Sequence, residues 1–257
     1  MNQVLTIARK EIVDGVRDFR SMLASLFYAL MGPVVVGLVS LAVGTKASGA
    51  TVLTGMMAIF TLVSAFVGGM NVAMDTVAGE RERKSLLPLL LNAVPRQRIV
   101  IGKWIAVSFF AWLGLVINIL GFSVVVALSG IRPSVGLRAL LMVGCGLFSL
   151  PLLAASVQLL ISTASHAIKE AQTYLSLVVF APMAIGMFLV FSPAARHGWL
   201  TYLPIVGQQM QLESWMAGRE IGLLQPIVLG VLTALVALAG VLISTNRLQR
   251  DEILYGN

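Results

Sequence analysis

The sequence predicts an all-α, multi-pass membrane protein with six transmembrane helices. Of its 257 residues, 58% are hydrophobic and only 11% are charged, and the mean hydropathy is +0.93. Soluble domains average about 25% charged residues, so this chain lacks the polar groups needed to cover a surface in water. Its apolar residues are gathered into runs long enough to cross the ~30 Å hydrocarbon core as helices.

The six predicted spans form one transmembrane domain covering residues 1–257. Pro33 and Pro182 fall inside the first and fifth runs, where neighbouring helices can satisfy the backbone groups that a proline frees. The predicted spans are residues 22–43, 52–74, 104–128, 139–161, 174–191 and 226–244.

The distribution of basic residues predicts the orientation of these spans. Thirteen of the 18 Lys and Arg residues fall in segments that lie on one side if the chain ends share that side. Short loops rich in Lys and Arg stay in the cytoplasm, so we expect both termini to be cytoplasmic. The net charge of +7 therefore reflects topology, and we expect no nucleic-acid partner.

The first 20 residues predict an amphipathic helix at the membrane interface. Apolar residues recur at three- and four-residue steps from Leu5 through Ile12 to Phe19, and most charged residues lie off that stripe. Such a helix could serve only as an anchor that sets topology. It could also act as an elbow that contacts a cytoplasmic partner.

Residues 75–103 form the longest polar interruption of the chain. The segment holds six basic and three acidic residues on either side of a short apolar stretch, 86–94. Charge cannot lie in the hydrocarbon core, so we expect a cytoplasmic loop with a short helix of its own. The simpler alternative is that these charges only solvate a turn and set topology.

A second polar segment, residues 192–225, is too long for a turn and too polar for two spans. Semi-apolar stretches begin at Trp199 and Met210, and Trp199 and Trp215 are typical of interfacial anchors. We therefore predict two short re-entrant helices on the outer side. An ordinary surface loop is the alternative.

The sequence carries no motif for ATP binding or for catalysis. The Walker A pattern G-x-x-x-x-G-K-[ST] and the H-E-x-x-H and G-x-S-x-G patterns do not occur. Ionisable residues are almost absent from the predicted spans, although ion-coupled transporters usually need them. We therefore expect no enzyme activity and no cofactor on this chain, and an energy source on another one.

Two stretches carry a resemblance to a known family. The segment Gly79–Lys103, GERERKSLLPLLLNAVPRQRIVIGK, resembles the signature loop of ABC-2-type transporter permeases, and His166–Tyr174, HAIKEAQTY, is similar to the second inner loop of their NatB-like, sodium-extrusion branch. The order of spans and loops is similar over essentially the whole length.

The resemblance implies a mechanism for the 75–103 segment. Such permeases work as pairs in a prokaryotic plasma membrane, and a separate ATPase subunit that binds ATP and Mg²⁺ pushes on this loop. The second permease is an identical copy or a related chain. The residues that the resemblance assigns to ATPase coupling are Glu80, Arg81, Glu82, Arg83, Leu86, Leu87, Leu90, Lys169 and Glu170.

Four further polar residues have two interpretations each. Asn118 and Gln158 lie in the middle of predicted spans and either join helices by hydrogen bonds or line a path for a polar solute. Asn71 and Asp75 lie one helical turn apart and could share a cation. Asp75 could instead cap or pair within the loop.

Two functions from different classes remain open at this point. The chain is either the permease subunit of an ABC exporter, carrying sodium or another small or amphipathic solute, or a membrane scaffold that recruits a soluble partner and transports nothing.

A stripe of small residues is the last feature of the sequence. Ser64, Gly68 and Gly69 predict that another helix approaches the second span closely. A second permease copy could supply that helix.

Overall fold

The computed structural model describes residues 3–43, 47–86, 88, 94–129, 144–192, 197–219 and 222–249. Within these ranges the chain is helical and contains no strand. Six helices are long and apolar enough to cross a membrane, as the sequence predicts. The predicted coupling residues Leu87 and Leu90, and the first residues of the predicted fourth span, lie outside the described residues.

Helices of 11 to 34 residues make up most of the part of the chain that the structure describes. A 3₁₀ turn, Gly198–Tyr202, precedes the helix that begins at Val206. A further helical stretch, 144–148, leads into the helix that begins at Leu150. The helices are α1 (Gln3–Arg17), α2 (Phe19–Val43), α3 (Ala47–Ala73), α4 (Arg96–Ser129), α5 (Leu150–Ala164), α6 (Ile168–Phe191), α7 (Val206–Met216) and α8 (Leu224–Gln249).

The helix α3 does not end where the apolar run ends. A π-helical segment, Met74–Gly79, and a short α-helical turn, Glu80–Glu82, continue it without a break. The region from residue 75 to residue 82, predicted as loop, is therefore the end of a helix. The first turns of α4 occupy residues 96–103 in the same way.

All six membrane helices extend past their predicted limits on the same side of the bundle. The extension ranges from three residues in α2 to eight in α3 and α4. We call this side, formed by residues 75–86, 88, 94–98, 162–170 and 245–249, the charged end. Hydropathy marks where hydrocarbon stops, whereas a helix continues into water as long as it packs on its neighbours.

The helix α3 is the centre of the bundle. In its most apolar stretch 67% of the residues are buried, against 22% in α2 and α6. It packs against α2, α4, α5, α6 and α7. The outer faces of α2, α6 and α8 carry exposed apolar side chains, as expected of helices that face lipid.

Small residues let α3 and α4 cross in close contact. A Cβ on Gly68 would lie 2.8 Å from the Phe110 carbonyl oxygen, and one on Gly114 would lie 2.9 Å from the Gly68 Cα. The small-residue stripe predicted on the second span therefore does receive another helix. That helix is α4 of the same chain, so the stripe is not free to pair two permeases.

The amphipathic helix α1 is seated on α4. Contacts advance together along the two helices, from Ile7 beside Gly102 to Gly15 beside Phe110, so they run in the same direction. Ala8 lies on the buried face, whereas the apolar side chain of Leu5 is exposed. The helix thus packs on protein along one face, and its position in a membrane interface stays a prediction.

The segment between α6 and α8 contains two short helices, near the places that the sequence predicts. The 3₁₀ turn is exposed, whereas α7 packs among α3, α6 and α8 and buries polar side chains. Gln208 donates a hydrogen bond to Thr233 Oγ1 at 2.9 Å, and Gln209 donates one to Glu213 at 2.7 Å. That these helices re-enter the membrane stays a prediction.

Candidate functional site

The charged end begins with a helix terminus that has an unusual residue at its turning point. Ser85 N donates to the Glu80 carbonyl at 2.9 Å and Lys84 N to the Arg81 carbonyl at 3.0 Å, which is the hydrogen-bond pattern of a Schellman motif. The residue that must adopt a left-handed conformation there is usually glycine. Here it is Lys84, with φ of 56°.

Arg81 and Glu82 join this helix terminus to the connection between α5 and α6. The Arg81 guanidinium donates to the carbonyls of Ser165 at 2.6 Å and Thr163 at 3.1 Å, at the C-terminus of α5. Glu82 Oε2 accepts a 2.8 Å hydrogen bond from Ile168 N, at the N-terminus of α6. Each charge complements the dipole of the helix end it meets. Two segments far apart in sequence are thereby held as one unit.

Glu80, which the resemblance assigns to ATPase coupling, does not face outward. The residue is 8% exposed, and its carboxylate forms an ion pair with Lys103 at 2.9 Å. Lys103 also donates to Glu11 of α1 at 3.1 Å. The reason for the difference is that the helical extension of α3 turns residue 80 toward α4 and α1.

Lys10 completes this buried group from its rim. Its ammonium lies 3.2 Å from Glu11, 3.5 Å from Asp14 and 3.6 Å from Glu80. Burial lowers the pKa of Lys10, but Glu11, Glu80 and Asp14 together outweigh that effect, so the pKa lies above its usual value. Lys10 is therefore charged at neutral pH and balances the second buried carboxylate.

Asn71 and Asp75 do not form a common cation site. The Asn71 amide nitrogen turns to α2, where it lies 3.2 Å from the Ser21 carbonyl and from Ser25 Oγ. Asp75 turns to Arg83, with 2.8 Å between their charged atoms and more than half of each side chain exposed. Asp75 is thus an ion-pair partner within the charged end, and the hydrogen bond it accepts raises the pKa of Arg83.

Leu86 is buried and is not available to fill a groove on another protein. It is 4% exposed and packs in an apolar cluster with Val77, Ile99 and Leu159. Leu86 thus anchors residues 83–86 to α3, α4 and α5 in this conformation. Its assignment to ATPase coupling stays a prediction.

The second inner segment presents one basic side chain to solvent. Lys169 is exposed on the first turn of α6. Glu170 accepts a 2.7 Å hydrogen bond from His166 N and thereby closes the turn before α6. Glu170 therefore forms a local contact, whereas Lys169 is exposed to solvent.

Four exposed, charged residues of the two segments form one surface, which we call the charged platform. Its members share solvent exposure and a position on the joined segments described above. They are Glu82, Arg83, Lys84 and Lys169. With one acidic and three basic side chains, the platform suits a partner that offers carboxylates or backbone carbonyls.

The two amides in the membrane region both join helices. Asn118 donates to the Ala29 carbonyl at 2.9 Å, and Gln158 donates to the Phe66 carbonyl. Both side chains are 1% exposed. Within the described part of the chain, Asn118 Oδ1 and Gln158 Oε1 have no hydrogen-bond partner. The nitrogens thus act between helices, and a role in a translocation path stays a prediction.

Sequence reasoning missed Glu11 and the buried polar face of α7. Glu11 lies on a helix whose other charged residues are mostly exposed, and a single acidic residue there has solvent as an equally good partner. The one available signal was Lys103, a lysine directly before a 25-residue apolar run. A buried lysine requires a carboxylate nearby, but the sequence does not say on which helix.

Comparison with known proteins gives a consistent result. Residues 5–242 match the family described as ABC-2 family transporter protein. The chain is 34% identical over 171 residues to the ABC transporter permease protein NatB of Bacillus subtilis (strain 168), covering 62% of this chain and 43% of that protein. It is 31% identical over 127 residues to a probable ABC transporter permease protein NosY of Stutzerimonas stutzeri, covering 46% and 43%.

These alignments cover less than half the length of the relatives that they match. The family match, in contrast, covers five of the described membrane helices in full, most of the sixth, and both segments of the charged platform. Together with the all-helical bundle and the signature segment 79–103, it leads to one conclusion: the chain belongs to the ABC-2 family of transporter proteins.

Proposed function

We propose that this chain is the permease subunit of an ABC exporter in a prokaryotic plasma membrane. It works as a pair, with an identical or related second permease, and forms the translocation path. ATP and Mg²⁺ bind on a separate ATPase subunit that docks on the charged platform. The family membership supports this proposal, as do the names of the relatives, which describe ABC transporter permeases.

The observation that carries the proposal is the connection made by Arg81 and Glu82. These two side chains bind the termini of α5 and α6 from the end of α3. A force applied to the charged platform therefore reaches three membrane helices at once, one of them the most buried in the bundle. Such a unit suits the conversion of ATPase closure into a rearrangement of the spans.

The substrate that fits this bundle is a small or amphipathic solute, with sodium as the first to test. Among the described residues, no three His, Cys, Asp or Glu side chains gather as metal ligands. A cation passing through the described core would therefore meet amide and carbonyl oxygens, as in other membrane pathways. The buried oxygens of Asn118 and Gln158 are of this kind.

A charge reversal on the charged platform tests the docking. Lys169→Glu should weaken binding of the ATPase subunit, since the lysine is exposed on the first turn of α6. Loss of a charged contact commonly costs about 2–5 kcal/mol when it is buried at an interface. We therefore expect at least a tenfold loss in co-purification and in ATP hydrolysis in liposomes.

The matched control is Arg219→Glu, which makes the same change from a positive to a negative charge. Arg219 is exposed near the end of α7, at the opposite end of the bundle. It should leave docking and hydrolysis unchanged. Equal effects of both variants would contradict docking on the charged platform. ATP hydrolysis that never depends on the permease, with no solute moved, would instead support the scaffold function.

Glu82 offers a second test that separates its charge from its hydrogen bond. Glu82→Gln keeps an oxygen that can accept from Ile168 N, whereas Glu82→Ala removes it. If the charge contacts the ATPase, both variants should reduce docking. If Glu82 only caps α6, Glu82→Gln should behave as the wild type and only Glu82→Ala should lower the melting temperature.

A further inference from the structure

Lys103 is the most enclosed charged residue in the described part of the chain. Its side chain is 2% exposed, and its ammonium contacts Glu11, Glu80 and the Thr76 carbonyl. These partners belong to α1 and to the extension of α3, whereas Lys103 itself belongs to α4. Three elements that are distant in sequence therefore meet at one ammonium group.

Lys103 belongs to a group of four charges that balance one another. Glu11 and Glu80 carry two negative charges, and Lys103 and Lys10 carry two positive ones. Asp14 also contacts Lys10, but its side chain is more than half exposed, so water screens it from the buried group. A buried charge without partners is strongly unfavourable, but a buried group of this kind adds little net stability over apolar residues of similar size. Its value lies in fixing which surfaces meet and in which register.

The buried contact between Lys103 of α4 and Glu11 of α1 differs from an exposed contact between the same two helices. Arg98 at the start of α4 donates to Gln3 of α1 at the protein surface, where water competes for both groups. Lys103 and Glu11 are shielded from water, so their attraction is screened far less. The buried group, and not the surface bond, therefore holds α1 and α4 in register.

The position of Glu80 connects this group to the charged platform. Glu80 directly precedes Arg81, which binds the end of α5, and Glu82, which binds the start of α6. A displacement of this helix end would therefore be transmitted along two routes. Arg81 and Glu82 transmit the displacement to α5 and α6, and Glu80 transmits it through Lys103 to α4 and α1.

We propose that Lys103 is a positioning residue that couples the helix end at Glu80 to α1, so that α1 is a moving part of the transport cycle and not only an anchor. This proposal rests on the proposed function. In the cycle, displacement of residues 80–84 pulls on Lys103 and Glu11 together. Because α1 continues into α2 with only Asp18 between them, the first span then moves with the platform.

The test removes the link while keeping the charge balance. The double variant Glu11→Leu/Lys103→Met deletes one charge of each sign and leaves Glu80 beside Lys10 as a neutral pair. It should fold with a melting temperature close to that of the wild type. In liposomes with the ATPase subunit, ATP hydrolysis should continue but lose its dependence on solute, and solute moved per ATP should fall at least tenfold.

Controls separate coupling from stability. Gln3→Ala removes the surface bond between the same two helices and should leave the solute-to-ATP ratio unchanged. Lys103→Arg keeps the charge and should retain most of the coupling. If the double variant does not assemble, Glu11→Gln serves in its place, since it leaves Lys103 and Glu80 as a neutral pair and should still lower the ratio.

A double variant, or in its place Glu11→Gln, that transports with the wild-type ratio would overturn the role of Lys103. That outcome is distinct from failure of the proposed function, in which the wild-type complex itself would show no transport linked to hydrolysis. A fall in melting temperature that accounts for the whole loss of activity would also overturn it, because the group would then be structural only.

Discussion

At the scale of the residue, two helix termini solve the same problem with different side chains. The extended α3 and α7 both end in a Schellman motif, with the left-handed position occupied by Lys84 in one and by Gly218 in the other. A left-handed conformation costs an L-residue roughly 1–2 kcal/mol, and glycine avoids most of that cost. Lysine at position 84 therefore adds a charge to the charged platform but lowers the stability of the helix end.

This difference predicts opposite effects of two substitutions. Lys84→Gly should raise the free energy of unfolding by up to about 1 kcal/mol, because the relief of strain is partly offset by the greater chain entropy of glycine. Gly218→Ala should lower it by about 1 kcal/mol, since φ is 68° there. Thermal unfolding in detergent measures both. A lower melting temperature for Lys84→Gly would show that the lysine side chain stabilises the helix end.

A second residue-scale feature is Asp18, which caps α2. Its carboxylate accepts hydrogen bonds from Ser21 N, at 3.3 Å, and from Ser21 Oγ. Both bonds favour the ionised form and lower the pKa of Asp18. The stability that the ionised cap contributes is therefore present above the ordinary pKa of aspartate and is lost as the pH falls through the lower, folded-state pKa.

We expect Asp18→Ala to lower the free energy of unfolding by about 1 kcal/mol at neutral pH, the usual effect of losing a helix cap. The difference from the wild type should shrink as the pH falls below about 4, where the unfolded-state carboxyl takes up its proton. Melting temperatures of both proteins across that pH range check this. A difference that does not change with pH would rule out a contribution from the ionised form.

At the scale of the element, the crossing of α3 and α4 fixes the core of the bundle. Gly68 and Gly114 face each other so closely that neither has room for a side chain, and a Cβ on Gly69 would lie 2.8 Å from the Val107 carbonyl. Close contact of this kind supplies packing between membrane helices, where lipid and side chains are equally apolar. A stripe that could have paired two chains is used within one.

Gly68→Ala should therefore destabilise the single chain. Its new methyl group meets backbone atoms of α4, which cannot move aside, and overpacking typically costs about 1–3 kcal/mol. Gly144→Ala is the matched control, because nothing lies within 4 Å of a Cβ there. The yield of monodisperse protein and its melting temperature decide the matter. Normal folding of Gly68→Ala together with weaker crosslinking of dimers would show instead that the stripe lies at the interface between permeases.

At the scale of the whole molecule, composition was enough for the class, the number of spans and the place of the charged end. The helix limits were not predictable in the same way. Hydropathy changes at Asp75 and at Trp104, whereas the helices run on to Glu82 and begin at Arg96. Packing between neighbouring helices decides those limits, and no single segment contains that information.

The candidate site, like the helix limits, was predictable only in part. The sequence singled out residues 80–83 correctly as a group of charges at one end of the bundle, but it could not assign their partners. Glu80 turns inward to Lys103, and Glu82 turns to the start of α6. Which carboxylate meets which cation depends on the helices that the fold brings together. A pattern along the chain shows only that such partners are needed.

Orientation in the membrane is the remaining whole-molecule prediction. In a Cys145→Ser background, Gly198→Cys and Lys169→Cys both place a thiol on an exposed residue, at opposite ends of the bundle. With the charged end in the cytoplasm, an impermeant thiol reagent should label Gly198→Cys in intact cells and label Lys169→Cys only after the membrane is opened. Labelling of Lys169→Cys in intact cells would invert the orientation.

The central position of α3 has a consequence for how the protein is made. Among the described residues, α3 packs mainly against α2, α4, α5, α6 and α7, and of these only α2 precedes it in the chain. The most buried helix of the bundle thus enters the membrane second, with Thr61 and Ser64 on a face that lies buried in the finished fold. Release of the first two spans into lipid as a finished hairpin would leave that face uncovered. Insertion and packing of α4 are therefore linked steps, and a pause in synthesis before residue 96 would leave an incomplete bundle without its central contact.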